Sequence, residues 1–394
     1  MELTYTPIEG KSKGYRRMVA VLGVMVAVMA AAFLVVYLKG QQVWGISDAV
    51  PWGQLITIDI FFVGLSAGAI VVSALSYVLK REEYKPIGRI AVYMGLLIFA
   101  GAMVSVVLDL GRPEKFWRPF AWGFLNNPTS MFALNSIWYS GYLLLMVVYL
   151  WLALENRHKL ATIIGTIDVI WAMAVHSFTG AIFGLVGTRE VLASPIKPFE
   201  FITAAITSGT ALLTIVVLAT FKYTHRPLDK KIIVALGRML SIVIIVLFVM
   251  VFFDKLTHIY MPARESVLFL FTGPYWWLFW VFQIGMGIVL PLAILFHPKA
   301  GKSIKGIIIA CSSVVIGVLG ERAAIVIPGT AEVQALFPGE IQGVWGTPGF
   351  FPITLWETLL TLGIVALVAL LFVLGLKYLD LLPAAESKEE ANHG

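Results

Sequence analysis

The sequence has few cysteines, histidines and charges, and each shortage excludes a class of protein. Among 394 residues the single cysteine is Cys311, and no CxxC, CxxCH or clustered Cys/His pattern occurs. Such clusters are needed to ligate an iron–sulfur cluster or to attach a c-type haem. A b-type haem between helices needs a pair of buried histidines, and only His176 lies deep in an apolar run. We therefore expect no haem and no iron–sulfur cluster in this chain.

Charged residues make up only 13% of the chain, whereas hydrophobic residues make up 59%. A soluble protein cannot use so many apolar residues. Long apolar runs recur along the whole length, which predicts membrane-spanning helices. The formal net charge of +6 is explained by basic loops on one side of a membrane. We expect a lipid membrane, and no nucleic acid, as a partner.

The hydropathy pattern predicts an all-α integral membrane protein with about ten transmembrane helices. Each run exceeds the roughly 20 residues that cross about 30 Å of hydrocarbon. A weak repeat of charged positions indicates two four-helix units, 54–186 and 201–327, plus two flanking helices, within one domain at 18–379. The predicted spans are 18–38, 54–79, 87–108, 132–154, 160–186, 201–221, 232–253, 273–296, 305–327 and 353–379.

Basic residues predict the orientation of these helices. Most of the 29 Lys and Arg lie in alternate loops and near the chain ends, so the N-terminal segment 1–17 and the polar tail 380–394 are placed in the cytoplasm. The first apolar run is too long for a signal peptide and is expected to be a retained helix. We expect a multi-pass protein of the inner (cytoplasmic) cell membrane. We also expect disorder from Pro383 to Gly394 and a long outer loop at 329–352.

Ionisable residues concentrate near the outer ends of the predicted helices. At about 1.5 Å per helical residue, residues from several segments fall in the outer third of the membrane. A charge at that depth is costly and usually has a partner or a function. The residues are Asp59, Asp109, Arg112, Asp254, His258, Glu321, Arg322 and Glu357. They predict a polar site at the outer face.

Two ionisable residues lie deeper, on one predicted helix. Asp168 is about 12 Å from the inner end and His176 is near mid-membrane, about 80° apart around the helix, so both can border one cavity. Single acids near helix ends are often only interfacial, and a buried histidine is often structural. The functional alternative is a proton pathway through Asp168, His176, Glu321 and Asp254.

The outer polar cluster suits a lipid-soluble quinol. Quinol oxidation needs hydrogen bonds to two ring oxygens and groups that accept protons, which His and carboxylates provide. The electrons must then leave through a redox centre in a partner docked on the outer loops. The competing interpretation is a secondary transporter, since ten helices, a weak repeat and buried charges also occur in that class.

Several short patches, in order along the chain, resemble the NrfD/polysulfide reductase membrane-subunit family. No single patch is specific, but their order and spacing cover essentially the whole chain. The patches are Val50-Pro51-Trp52-Gly53 with Asp59 and Gly64-Leu65-Ser66-Ala67-Gly68-Ala69; Asp109-Leu110-Gly111-Arg112-Pro113; His176-Ser177-Phe178-Thr179-Gly180; and Arg322 with the run from Phe351-Pro352 to Trp356-Glu357.

The resemblance implies a quinone-interacting subunit, with menaquinone the preferred quinone, that carries no cofactor of its own. It implies a four-cluster ferredoxin-like iron–sulfur subunit on the outer loops, where we predict Lys115–Phe120 as a docking surface. Further catalytic or cytochrome subunits and proton translocation are also implied, in a respiratory complex of which this protein is a subunit that is not catalytic alone. The residues implied at the quinone pocket are Asp59, Asp109, Arg112, His176, Arg322 and Glu357.

Overall fold

The structure, a computed structural model, describes residues 3–47, 50–187, 189–261, 264–332 and 349–384. Within these ranges, ten helices are long and apolar enough to cross a membrane. Each predicted span corresponds to one of them, so the all-α membrane fold is confirmed. The helices are α1 (Lys13–Lys39), α2 (Gln54–Tyr77), α3 (Lys85–Asp109), α4 (Met131–Leu154), α5 (His158–Gly184), α6 (Lys197–Thr224), α7 (Lys230–Tyr260), α8 (Leu278–Phe296), α9 (Ile304–Ala331) and α10 (Leu355–Tyr378).

Two helices continue past their apolar runs, and the sequence missed these extensions. α6 begins at Lys197 and α7 ends at Tyr260, so Asp254, expected at the start of an outer loop, lies inside a helix. A hydropathy pattern stops at the first charge, whereas a helix continues when its charges are paired within the protein. The Nζ atom of Lys197 is 3.3 Å from Oδ2 of Asp254. A short helix, Arg264–Thr272, follows α7.

Eight of the helices pack in two rings of four. α2 belongs to the first ring and also contacts the second, and 89% of its apolar segment is buried. In the first ring α2 contacts α3 and α5, and α4 closes the ring between them. In the second ring α6 contacts α7 and α9, and α8 closes the ring. The rings meet where α2 packs on α6, α5 on α6 and α2 on α9, while α1 and α10 pack together at one side. This packing supports the predicted four-helix units, whose division remains a prediction.

The two rings approach most closely where α2 crosses α6. A Cβ atom added at Gly68 would lie 2.5 Å from Cα of Gly209 and 2.6 Å from the carbonyl oxygen of Ala205. Only glycine allows backbones to come so close, as in the small-residue interfaces of membrane helices. Gly64, one turn before Gly68, faces Ala205 across the same contact.

The first part of α8 is irregular. Residues Leu278–Val289 form π-helical turns, which are rare and often lie at functional sites. The sequence pattern did not indicate this departure, because hydropathy does not distinguish π-helical from α-helical turns. The segment packs tightly on α9, where a Cβ added at Gly317 would collide with the backbone of Gly287.

The two termini meet at one face of the molecule. Strand β1 (Tyr5–Thr6) pairs antiparallel with strand β2 (Leu382–Pro383), and Leu381 and Leu382 are fully buried. The first residues of the predicted polar tail are therefore packed, because two leucines are drawn into the protein. The disorder expected from Pro383 onwards is wrong for Pro383, which pairs with Tyr5 in this two-stranded sheet. Residues 385–394 lie outside the described part of the chain, as does most of the predicted outer loop, 333–348.

Candidate functional site

Arg322 on α9 is 1% exposed and lies between the two rings. Its guanidinium stacks on the ring of Phe201 from α6, with Cζ 3.9 Å from the ring centroid. Its nearest carboxylate oxygen, Oε1 of Glu321, is 3.6 Å from Nη1, which is too long for a hydrogen bond. Among the described residues, Nε, Nη1 and Nη2 of Arg322 have no hydrogen-bond partner. Because an arginine carries five N–H donors, the guanidinium is able to bind an acceptor ligand.

Aromatic rings lead from the segment just before α2 to Arg322. The ring of Trp52 meets that of Phe183 edge to face at 5.8 Å, and Phe183 stacks on Phe201 at 5.8 Å. Phe201 thus contacts both the guanidinium and the ring of Phe183, and the surroundings of the guanidinium on this side are apolar.

His176 connects α5 to α2. Its Nε2 lies 2.9 Å from the carbonyl oxygen of Val63, and its Nδ1 lies 2.7 Å from that of Ala172. Carbonyl oxygens only accept, so a neutral ring donates to one of them and a second proton is needed to donate to both. These two contacts fix the ring between α5 and α2. It is also close enough to Arg322 for their charges to interact.

A polar group on α4, missed by the sequence, lies beside Asp59. The hydroxyl of Tyr139 is 3.0 Å from Oγ1 of Thr179, and Nδ2 of Asn135 donates to the same oxygen over 3.3 Å. Oδ1 of Asp59 and Oδ1 of Asn135 have no hydrogen-bond partner among the described residues. Tyr139 is close enough to both Asp59 and Arg322 to interact with their charges. The spacing of Asn135 and Tyr139, one helical turn apart, was the sequence feature that could have indicated a polar face on α4.

Glu357 caps a neighbouring helix. Gly53, the N-cap residue before α2, has no side chain to accept a hydrogen bond from the first N–H groups of the helix. Oε1 of Glu357, from α10, accepts from the backbone N–H of Leu55 over 3.1 Å, and so replaces a side-chain cap. Oε2 of Glu357 has no partner among the described residues. Oε1 of Glu357 therefore stabilises the start of α2, whereas Oε2 is available to bind a proton or a ligand.

The end of α3 and the turn that follows it contain two predicted site residues, Asp109 and Arg112, and the structure brings one of them to the site. Asp109 is partly buried and close enough to Asp59 and Glu357 for their charges to interact. Its backbone oxygen accepts from Nε2 of Gln41 over 2.5 Å. Arg112 is exposed, and no ion pair joins it to another described residue. The structure thus brings Asp109, and not Arg112, to the cluster.

A second ionic cluster lies within the second ring, at the same end of the molecule. Nζ of Lys197 is 2.6 Å from Oε2 of Glu200, and Nζ of Lys255 is 2.9 Å from Oδ2 of Asp254. Glu321 interacts with the charges of Lys197 and Lys255 as well as with Arg322. Lys197 and Glu200 lie before the predicted span 201–221, and for that reason neither was predicted as a site residue.

Asp168 lies apart from both clusters, towards the face where the termini meet. It is fully buried, and neither carboxylate oxygen has a partner among the described residues. Two hydroxyl pairs flank its position: Tyr142 with Ser66 and Tyr149 with Ser73, each with 3.3 Å between the oxygens. Both tyrosines are close enough to Asp168 to interact electrostatically with its carboxylate.

Ten apolar helices around a buried polar site define a multi-pass integral membrane protein. The chain belongs to the NrfD family, because the family described as "Polysulphide reductase, NrfD" matches residues 42–334. The resemblance inferred from the sequence patches is thereby confirmed.

Three curated relatives show how far the similarity extends. The chain is 34% identical over 397 residues to the Hdr-like menaquinol oxidoreductase integral membrane subunit of Archaeoglobus fulgidus, covering 99% of each. It is 26% identical over 290 residues to the menaquinone reductase integral membrane subunit of Nitratidesulfovibrio vulgaris, covering 66% of this protein and 68% of the relative. It is 23% identical over 335 residues to protein NrfD of Escherichia coli, covering 73% and 97%.

Proposed function

We propose that this protein is the quinone-binding membrane subunit of a multisubunit respiratory oxidoreductase. The observation that carries the proposal is the buried guanidinium of Arg322, whose three nitrogens Nε, Nη1 and Nη2 lack partners among the described residues. A quinone supplies a carbonyl acceptor for this group, and its apolar ring suits the neighbouring aromatic side chains of Phe183 and Phe201. The names of two relatives, a menaquinol oxidoreductase and a menaquinone reductase subunit, favour menaquinone.

The side chains around Arg322 suit both directions of quinone chemistry. Oxidation of a quinol releases two protons and two electrons, and reduction of a quinone takes them up. Arg322 donates a hydrogen bond to a ring oxygen, while Asp59 and His176 accept the protons or supply them. The electrons pass to or from a redox centre in a partner subunit.

The proposed partner is a four-cluster ferredoxin-like iron–sulfur subunit at the outer face, connected to further catalytic or cytochrome subunits. The segment after Asp109, at the same face as Arg322, exposes Phe116, Trp117 and Trp122 with exposed fractions of 51%, 45% and 59%. An exposed aromatic segment with nearby bases is typical of a protein interface. The excess of basic residues at the other face supports cytoplasmic termini and an outer location for this surface.

Proton translocation is the second part of the proposal. In the first ring, Asp168 is the inner step and His176 the step towards Arg322, with the Tyr149–Ser73 and Tyr142–Ser66 hydroxyl pairs alongside. In the second ring, Asp254 and Glu321 are the candidate steps. Buried ionisable residues in membrane helices often belong to proton relays, and Asp168 is the one of these carboxylates with no partner for either oxygen among the described residues.

The inner route is tested by Asp168→Asn in the complex reconstituted into vesicles. We expect loss of proton uptake from the side of the termini, with quinol-dependent electron transfer retained. Asp229→Asn, at an exposed helix N-cap on the same face, is the matched control because asparagine also caps. Unchanged proton uptake in Asp168→Asn rejects the route.

Quinone binding is tested with the purified complex. We expect a quinone and an iron–sulfur subunit to copurify with the protein, and a quinone-site inhibitor to abolish quinol-dependent reduction of the partner's clusters. Inhibitor-insensitive reduction contradicts the proposal. Binding of a polar solute by a protein that purifies without quinone favours the transporter class instead.

A further inference from the structure

A cavity of about 970 Å³ opens at the face where the termini meet, at the other end of the helices from Arg322. It lies between the end of α2 and the starts of α3 and α5, and Tyr5 of strand β1 and Asp380 complete its wall. Its volume is within the range of small-ligand sites. None of the residues assigned to the quinone site lines it, so it needs its own explanation.

The deepest charge of the cavity is Arg89 on α3, which is 2% exposed. Nη1 donates to the carbonyl oxygen of Asp380 over 2.9 Å, Nη2 donates to Oδ1 of Asn156 over 2.5 Å, and Cζ lies 3.8 Å from the centroid of the Tyr5 ring. These contacts hold the guanidinium in place without neutralising it. No carboxylate among the described residues forms an ion pair with Arg89, and its Nε has no hydrogen-bond partner there. A buried cation without a counter-ion is costly, so an anion is expected beside it.

The surroundings of Arg89 also favour an anion. Lys80 and Lys159 line the rim and are exposed, and Lys85 lines it in a pair with Glu82. α3 begins at Lys85 and α5 at His158, both beside the cavity, and neither helix start has a side-chain cap. The positive ends of two helix dipoles therefore lie beside the same space.

The geometry points to a binding site in this cavity for a phosphate-bearing anion, held by Arg89 and the two rim lysines. The headgroup of an anionic phospholipid and free phosphate share this chemistry. The position of the cavity at the membrane face, between helix ends, favours the headgroup, because basic pockets between helices on the cytoplasmic side recognise such lipids.

The test uses the full-length protein in its complex, in nanodiscs of phosphatidylcholine with or without phosphatidylglycerol, and in phosphatidylcholine nanodiscs with added inorganic phosphate. Native mass spectrometry counts retained phospholipid, and the thermal unfolding midpoint reports stabilisation. We expect phosphatidylglycerol to be retained and to raise the midpoint. In the double variant Lys80→Gln/Lys159→Gln, binding should weaken about fivefold for each lysine removed.

The control is Lys230→Gln/Lys231→Gln, which removes two exposed lysines from the same face outside the cavity. Arg89→Gln should abolish retention, and the rim variant decides the question if Arg89→Gln fails to fold. Stabilisation by inorganic phosphate, and not by phosphatidylglycerol, assigns the site to soluble phosphate. Equal loss in both lysine pairs indicates general surface attraction and overturns the site, as does the absence of any effect from either phosphate source.

Discussion

The guanidinium of Arg322 is buried against Phe201 and has more donors than its protein neighbours use. If it binds a ring oxygen, its planar shape matters as well as its charge, because lysine cannot reproduce the arginine fork. We expect Arg322→Gln to lower quinol-dependent reduction of the partner's clusters about 10- to 100-fold, the range for a hydrogen bond to a charged group. Arg322→Lys should recover only part of the rate.

The matched control is Arg264→Gln, since Arg264 is an exposed arginine at the same end of the molecule. Its rate should equal that of the unmodified complex. A rate in Arg322→Gln within twofold of the control, with the complex intact, would contradict a direct contact between Arg322 and the quinone.

Two substitutions of Glu357 separate its function as a helix cap from its proposed function as a proton-binding carboxylate. Glu357→Gln keeps an oxygen that accepts from the N–H of Leu55, whereas Glu357→Ala leaves α2 uncapped. We expect the alanine variant to lose about 1 kcal/mol of stability and the glutamine variant to unfold near the midpoint of the unmodified protein. A lowered quinol oxidation rate in Glu357→Gln alone would then report on the proton-bearing carboxylate. Equal stability of the alanine and glutamine variants, measured by thermal unfolding in detergent, would argue against the cap.

Charged residues in long apolar runs could be found from the sequence, because their depth follows from helical rise. Asp59, His176 and Arg322 were found in this way. Tyr139 and Lys197 were not. Tyrosine is common at membrane interfaces, and a lysine at the edge of an apolar run looks like a loop residue until its partners on other helices are known. Pairing between helices that are distant in sequence cannot be read from spacing along one helix.

The contact between α2 and α6 joins the two rings and positions both halves of the site. α2 carries Asp59 and the carbonyl of Val63 that meets His176, so a shift of α2 disturbs the site as well as the fold. We expect Gly68→Ala to destabilise the protein by about 1–3 kcal/mol, as overpacking does, because its Cβ would lie 2.5 Å from Cα of Gly209. Thermal unfolding in lipid nanodiscs measures the loss.

Gly23→Ala is the control, since no atom lies within 4 Å of a Cβ at that position of α1. It should be neutral or slightly stabilising, because alanine favours helix. If both variants unfold at the same temperature, the close approach of α2 and α6 does not contribute to stability.

The helices themselves were the most predictable part of the molecule. Long apolar runs have no alternative to a helix within a bilayer, because every backbone group must be satisfied. The end of α7 at Tyr260 and the π-helical turns at Leu278–Val289 were not predictable. Both depend on packing between helices, which hydropathy along the sequence does not record.

The molecule as a whole has different chemistry at its two faces. Arg322 and the two clusters of buried acids around it lie towards one face, whereas the basic cavity opens at the other, beside the paired termini. The sequence predicted that both termini share a face but not that they pair, because β1 and β2 are only two residues each and leave no periodic pattern. The pairing matters for the cavity because Tyr5 in β1 covers Arg89.

Arg226 holds the paired termini together. Its Nη1 donates to Oγ1 of Thr6 over 2.8 Å and also to the carbonyl of Pro383, one residue in each strand. We expect Arg226→Gln to increase amide hydrogen exchange of Ile8 and Ala384, whose N–H groups bond across the termini, by about tenfold or more, as loss of a charged hydrogen bond implies.

Lys222→Gln, at an exposed lysine near the same end of α6, should leave this exchange unchanged, and quinol oxidation should be normal in both variants. If release of the termini also uncovers Arg89, Arg226→Gln should retain less phosphatidylglycerol than Lys222→Gln does. Faster exchange with unchanged lipid retention would show that the termini cover the cavity without forming part of its binding site.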